Sequence, residues 1–392
     1  MKVLHFYKTA LPDTVGGVQT SIDQLATGLT QLGCQIDLLT LSERGDAGGP
    51  VLRNGYRLHR MRRDFEIAST GFSAGVLPRF RRLAAEADIV HYHFPWPFMD
   101  AAHMLLARNK PSVVTYHSDI VRQKVWRTLY EPLGRSFLSA VDRIVASSPQ
   151  YRETSHALRR HIEKVSVIPL GIDPVGLTAP TPSCLDEWRT RIGEGFFLFI
   201  GVLRYYKGVE FLIEAARQTG FPTVIVGNGP EDERLRALAA DVPNVRFLGR
   251  LSEEDKAAVL SLCGALVLPS HLRAEAFGIA LLEGALHGKP LLSCEIGTGT
   301  SFVNDARRTG LVVPPADPER LADAMRQLQR EPDQTRSMGE HARRRALDIF
   351  NARRMAQSYQ DLYLDLLASR ADLPRPTRGS GDCLRPRASG GE

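Results

Sequence analysis

The stretch Phe196-Phe197-Leu198-Phe199-Ile200-Gly201-Val202-Leu203-Arg204-Tyr205-Tyr206-Lys207-Gly208 decides the fold. An unbroken apolar, aromatic-rich run ends at Gly201, and a helical period begins after Gly208 and runs over 209–218, so the segment reads as a buried strand turning into a helix. The turn places Arg204 and Lys207 at the carboxyl end of that strand. Downstream the pattern repeats: strands are predicted at 223–226, 245–248, 265–268, 290–293 and 310–313, and helices at 232–240, 253–262, 277–287 and 318–329. Strand-helix-strand units of this kind build a parallel sheet covered by helices on both faces.

The same alternation occupies the first half, with strands at 3–7, 35–40, 89–92, 112–116, 143–146 and 165–168 and a helix over 18–32 closed by Gly33. Between the halves, 174–187 holds Pro174, Pro180 and Pro182 and no periodicity, which reads as a linker. The expected fold is therefore α/β, two Rossmann-like domains over 1–173 and 191–350 joined by a linker at 174–190. A closing helix is expected at 351–373 and a disordered Pro/Gly/Arg/Ser-rich tail at 374–392.

Composition agrees with an ordinary two-domain enzyme: 392 residues, 43% hydrophobic and 24% charged. No apolar run is long enough to cross a bilayer, and the first residues read as a strand and not a signal peptide, so the chain is expected in the cytoplasm. Cys34, Cys184, Cys263, Cys294 and Cys383 are odd in number and scattered, which argues against a disulfide framework or a thiolate metal site. Residues 1–190 carry 23 basic against 18 acidic side chains. Most of that excess sits in 52–82, where Arg53, Arg57, Arg60, Arg62, Arg63, Arg79, Arg81 and Arg82 accompany only Asp64 and Glu66. Such a face suits phosphates or an anionic lipid surface; the net charge of +6 does not by itself call for nucleic acid.

In doubly wound sheets ligands bind beyond the carboxyl ends of the strands, so residues just after strands deserve the chemistry. Gly16-Gly17-Val18 opens the first helix, where missing β-carbons let backbone amides approach an anion; a plain strand-to-helix turn reads as well. Arg204 and Lys207 fit a diphosphate, with solvated surface charge as the alternative. In Glu275-Ala276-Phe277-Gly278-Ile279-Ala280-Leu281-Leu282-Glu283, Glu275 lies in a loop and Phe277, Gly278 and Ile279 offer helix amides to a phosphate. Glu283, two turns on, can accept from ribose hydroxyls; ordinary capping and surface acids are the alternative. His117 ends the strand at 112–116 and is as readily structural as catalytic. There is no H-x-x-x-H, G-x-x-x-x-G-K-[ST] or D-x-D, and neither half carries the dinucleotide glycine fingerprint with its acid.

Together with Ile168-Pro169-Leu170-Gly171-Ile172-Asp173, Gly227-Asn228-Gly229-Pro230 and Phe247-Leu248-Gly249-Arg250-Leu251, these residues resemble retaining glycosyltransferases of family 4 with the GT-B fold, in order along residues 1 to about 370. The resemblance implies two domains facing across a cleft, with the last helix crossing back to the first domain. It implies that Arg204 and Lys207 hold the donor diphosphate, Glu283 the ribose and Glu275 the transferred sugar. His117 would sit beside that sugar, and Gly17 would touch donor or acceptor on closure. It further implies retention of configuration, with the leaving diphosphate assisting deprotonation of the acceptor, no protein nucleophile and no metal or other cofactor.

The run 293–304 followed by Gly310-Leu311-Val312-Val313-Pro314-Pro315 is similar to bacterial mannosyl- and rhamnosyltransferases that use GDP-sugars to build lipopolysaccharide O-chains, particularly D-rhamnosyltransferases of the common polysaccharide antigen. The amides at Gly297, Thr298 and Gly299 could bind sugar or phosphate, or form a structural turn. The expected partners are a nucleotide-sugar donor, a GDP-sugar in the favoured case, and a saccharide acceptor, in the favoured case lipid-linked. The segment at 120–133 mixes cations with Trp126 and Tyr130 and, with 52–82, suits peripheral contact with an anionic inner membrane; packing on its own domain is the alternative. A nucleotide-sugar epimerase of like fold, or a non-catalytic nucleotide-sugar-binding protein, would share the donor residues and stays open.

Overall fold

The computed structural model describes residues 1–45, 49–67, 70–119, 124–174 and 179–371, with side chains at 124–129 left aside. The tail at 374–392 lies outside them.

The first domain is built on an eight-stranded sheet of β1 (Lys2–Phe6), β2 (Gln35–Ser42), β3 (Val51–Arg53), β4 (Tyr56–Arg62), β7 (Ile89–Phe94), β8 (Ser112–Tyr116), β9 (Arg143–Ala146) and β10 (Val165–Val167), in the order β10-β9-β8-β7-β1-β2-β4-β3. A separate small hairpin joins β5 (Phe65–Ile67) to β6 (Thr70–Phe72). All six residues of β7 are buried, as a strand covered on both faces requires. The helix Gly17–Gln31 buries Ser21, Ile22, Leu25, Ala26 and Leu29 at helical spacing against the sheet.

The second domain holds a wholly parallel sheet of β11 (Phe197–Ile200), β12 (Thr223–Val226), β13 (Val245–Gly249), β14 (Ala265–Leu268), β15 (Leu291–Cys294) and β16 (Gly310–Val313), ordered β13-β12-β11-β14-β15-β16. In both sheets the order reverses beside the first strand, between β1 and β7 and between β11 and β14. That is where a doubly wound sheet opens a crevice.

Two features depart from the sequence reading. The stretch taken as a linker, 174–190, contains most of a helix, Pro182–Ile192. Thr181 caps it, accepting from the Cys184 amide, and Pro182 occupies the first turn, where a missing N–H removes no bond; the prolines start this helix and do not break one. Trp188 and Ile192 are buried, and the Trp188 indole donates to Asp255 at 2.8 Å. Residues 52–62, read as a basic surface, contain β4, parallel to β2, and part of the β3–β4 hairpin turning on Asn54-Gly55.

The last helix, Ala352–Ala371, returns to the first domain. It packs on Gly17–Gln31 so closely that a β-carbon on Gly28 would lie 2.7 Å from that of Ala356. Arg370 reaches Asp142 at 2.8 Å, and Gln360 donates to the Leu32 carbonyl at 3.1 Å.

Candidate active site

The carboxyl ends of the two sheets bring the predicted residues together from both domains. Gly17 begins its helix after β1, and a β-carbon there would stand 3.3 Å from Ile279 Cγ1 of the second domain. Ile279 begins the helix Ile279–Leu286, whose cap, Gly278, takes the left-handed φ of +85°, a conformation that side chains disfavour. Two helix N-termini thus meet at the crevice, each leaving first-turn amides without an intrahelical acceptor.

Under that helix the Lys207 ammonium pairs with Glu275 Oε2. Ser270 donates to the same oxygen at 3.2 Å, and the Thr298 hydroxyl donates to the Glu275 carbonyl at 2.8 Å. The two charged side chains are 12% and 11% exposed. Burial works to lower the Lys207 pKa, but the Glu275 carboxylate outweighs it and the net shift is upward, so the ammonium persists. Arg204 is exposed and has no carboxylate partner among the described residues. Its charge bears on Lys207 and, across the crevice, on Lys8 just after β1. The Lys8 pKa is lowered first by burial and further by Arg204, against Glu66. Arg204 is thus near enough to the first domain to act on Lys8, while Lys207 is held against Glu275.

Glu283 lies within Ile279–Leu286, with one carboxylate oxygen 3.0 Å from Lys256, which also meets Glu253 at 2.8 Å. The sequence offered no signal for Lys256, because its partner sits on a different helix. The Gly297–Gly299 segment behaves as a structural turn. Gly297 N–H is taken by Glu295 within the turn at 2.9 Å, and Gly299 N–H braces the Glu275 loop through Ala276 O at 2.8 Å, so neither amide is left for a ligand.

His117 closes β8 and is almost fully buried. Its Nε2 lies 3.0 Å from His93 Nδ1, and His93 Nε2 lies 3.1 Å from His5 Nδ1. His91 packs against both, stacked on His93 with centroids 4.5 Å apart and tilted to His5 at 4.6 Å, while its nitrogens meet Tyr363 OH at 2.6 Å and Thr115 Oγ1 at 2.8 Å. Thr115 in turn meets Tyr359 OH at 2.7 Å, so the returning helix closes over the group. Burial depresses the His5 and His117 pKa values to about 3 and those of His91 and His93 well below the ordinary value. Ligand atoms of His5, His91 and His93 lie within 4.8 Å of one another. Both His91 nitrogens are already engaged, and His5 Nδ1 and His93 Nε2 are hydrogen-bonded to each other, so the trio is not a set of converging metal ligands; His117, His93 and His5 form a hydrogen-bonded column with His91 packed beside it. The alternation His91-Tyr92-His93 on one strand face was the available signal.

Arg273, in the loop after β14, also escaped the sequence reading. It meets Asp119 Oδ2 through Nε and Nη2, each at 3.1 Å, and donates to Thr154 Oγ1 at 2.9 Å and the Gly297 carbonyl at 2.7 Å, tying the domains beside the site.

The basic run at 52–82 is not a continuous cationic face. Arg53 pairs with Asp23 at 2.7 Å, Arg57 with Asp37 at 2.7 Å, Arg60 with Asp13 at 3.2 Å, and Arg63 with Glu66 and Glu43, while Arg79 reaches His59 at 2.8 Å. Several of these acids come from neighbouring elements that a linear count omits. Arg81 and Arg82 line a shallow groove with Leu77, Phe98, Leu105 and Leu106. Side chains of the 120–129 part of the second proposed membrane segment lie outside the described residues.

Two family models match the chain: glycosyl transferases group 1 over residues 186–345, and Glycosyltransferase Family 4 over residues 15–175. The D-rhamnosyltransferase WbpZ of Pseudomonas aeruginosa is 53% identical over 355 residues, 90% of this chain and 93% of that protein. The O-antigen chain mannosyltransferase C of Escherichia coli is 44% identical over 373 residues, 95% and 100% of the two chains. Among solved structures, sucrose-phosphate synthase from Thermosynechococcus elongatus superposes with a TM-score of 0.79 over 94% of this chain and 99% of that one, at 22% identity. WaaG, a glycosyltransferase involved in lipopolysaccharide biosynthesis, gives 0.67 over 92% and 99%, at 18% identity. At those identities the likeness concerns the fold.

Proposed function

Because the chain belongs to the family 4 glycosyltransferases of GT-B fold, we propose that it moves a hexose, mannose or D-rhamnose, from a GDP-sugar to the saccharide end of a growing O-antigen chain, with retention of configuration and without a metal ion. The observation that carries the reading is the Lys207–Glu275 pair just before the helix Ile279–Leu286, whose amide end meets Gly17, with Arg204 in the same turn as Lys207 after β11. Those groups suit a diphosphate whose negative charge grows as the sugar leaves.

In the reaction an acceptor hydroxyl bonds to the anomeric carbon on the face the diphosphate leaves. The bond from that carbon to the β-phosphate oxygen breaks, and the acceptor proton passes to the departing phosphate. Arg204 and Lys207 stabilise the leaving group. Glu275, held at the same point by Ser270 and Lys207, is placed to accept from hydroxyls of the transferred sugar. The free oxygen of Glu283 is left for the ribose. Burial pushes the His117 pKa down to about 3, which makes it a weak base, and the departing phosphate takes the proton in this reading.

The acceptor is lipid-linked in this reading, and the protein works on the cytoplasmic face of the inner membrane. Support comes from Arg81 and Arg82 beside Leu105, which is 78% exposed, and from the relatives' role in O-antigen synthesis. No helix among the described residues is long and apolar enough to cross a membrane. Flotation with phosphatidylglycerol vesicles, compared with phosphatidylcholine alone, tests this surface; equal behaviour in the two would remove it. Titrating GDP, UDP and ADP calorimetrically, then supplying the matching sugar nucleotide with and without an O-antigen acceptor, tests the reaction. Transfer that requires acceptor supports it, and sugar isomerisation without acceptor would make the protein an epimerase.

A further inference from the structure

We propose that His93 and His5 are positioning residues that fix the tautomer of His117, so that His117 presents Nδ1–H to the cleft as a hydrogen-bond donor. The inference deepens the transferase reading and rests on it for its consequence in catalysis, but not for the tautomer itself.

The argument follows the protons. His117 Nε2, His93 Nδ1, His93 Nε2 and His5 Nδ1 form two hydrogen bonds in series, 3.0 and 3.1 Å long. Each neutral imidazole has one N–H and one acceptor nitrogen, so the chain has two consistent arrangements. In one, His5 donates to His93, His93 donates to His117, and the His117 proton sits on Nδ1. In the other every proton shifts the opposite way, and His5 carries its own on Nε2.

The far end decides between them. His5 Nε2 is buried and has no hydrogen-bond partner. The second arrangement would bury an orphan N–H there, whereas the first leaves an unfilled acceptor, and buried N–H groups without partners are the rarer of the two. The first arrangement therefore prevails, and the preference is transmitted through His93 to the site.

The surroundings hold the column uncharged. Facing these rings are Tyr7 from the loop after β1, His91 from β7, Thr115 from β8, and Tyr359 and Tyr363 from the returning helix. None of them is a carboxylate that would stabilise an imidazolium. Proton exchange along the chain is thus confined to the two neutral arrangements. A donor at His117 Nδ1 suits an oxygen of the transferred sugar and cannot act as a general base.

The test is long-range proton–nitrogen correlation spectroscopy on the full chain labelled with 15N-histidine, at neutral pH without ligand. The His117 signals are identified by their loss in His117→Gln. A protonated Nδ1 with an unprotonated Nε2 is expected; a protonated Nε2, or a doubly protonated ring, would overturn the proposal whatever the enzyme's substrate proves to be. Kinetics supply the second arm. His93→Phe is expected to lower kcat by about tenfold or more, with GDP affinity and thermal midpoint within the range of His93→Asn, which keeps a partner near His117 and recovers most of the loss. Equal losses in the two variants, or a loss of GDP affinity that tracks lowered stability, would assign His93 a packing role only.

Discussion

Lys207 and Glu275, 68 residues apart in sequence, close a nearly buried ion pair at the mouth of the second sheet. The pair presets both groups. Glu275 keeps the ammonium charged and aimed before substrate arrives, and a bound diphosphate then shares that cation. Removing Lys207 therefore does two things, because it also leaves a carboxylate without its cation. Lys207→Ala is expected to lose transfer and to melt earlier, since stranding one partner of a buried pair costs about 3–5 kcal/mol. A thermal scan beside the transfer assay checks both parts; an unchanged melting midpoint would show that Glu275 finds solvent without difficulty.

Arg204 gives the cleaner test of catalysis. It is exposed and has no carboxylate partner among the described residues, so Arg204→Ala is expected to fold as the parent does. Transfer should fall by about 10²–10³, the loss seen when one donor to a developing negative charge is removed. Steady-state transfer measured with both variants at matched stability decides the point.

Gly17 meets Ile279 from the opposite domain. An added methyl at 3.3 Å from Ile279 Cγ1 needs a shift of a few tenths of an ångström, whereas the branches of valine need the domains to part. Gly17→Ala should remain active and Gly17→Val should lose kcat while keeping GDP affinity, because the diphosphate groups belong to the second domain. Parallel kinetics and calorimetry read this out, and an active Gly17→Val would mean that closure tolerates a gap.

The histidine column predicts a pH dependence of stability. In the unfolded chain each imidazole titrates near 6.5, while His5 and His117 are held at about 3 and His91 and His93 well below their ordinary value. Between those limits the unfolded chain binds more protons, so stability is complete above about pH 6.5 and falls as pH drops, by about 1.4 kcal/mol per unit for each protonating group. Asp100, buried with a raised pKa, opposes one of the four. Melting midpoints are expected to be flat from pH 8 to 7 and to descend steeply below 6.5. A flat profile down to pH 5 would mean that the column is hydrated.

Much of the fold was legible because fully buried parallel strands announce themselves as apolar runs. All six strands of the second sheet were found, and Gly17, His117, Arg204, Lys207, Glu275 and Glu283, singled out in the sequence, stand directly after strands or in the helices that follow. What escaped depends on partners distant in sequence. The arginines of 52–63 looked like an open basic face because Asp13, Asp23 and Asp37 lie on other elements. The Arg273–Asp119 bridge joins residues 154 apart. Pro182 was read as a breaker although Thr181 before it makes a helix start.

The central claim is that side-chain cations and helix amides, without a metal ion, hold the leaving diphosphate. Calorimetric titration of GDP in excess EDTA, with the parent protein and Arg204→Ala side by side, addresses it most directly. The account predicts unchanged affinity for the parent on chelation and binding at least about tenfold weaker for the variant. Parent binding that disappears in EDTA and returns with added magnesium or manganese would contradict it.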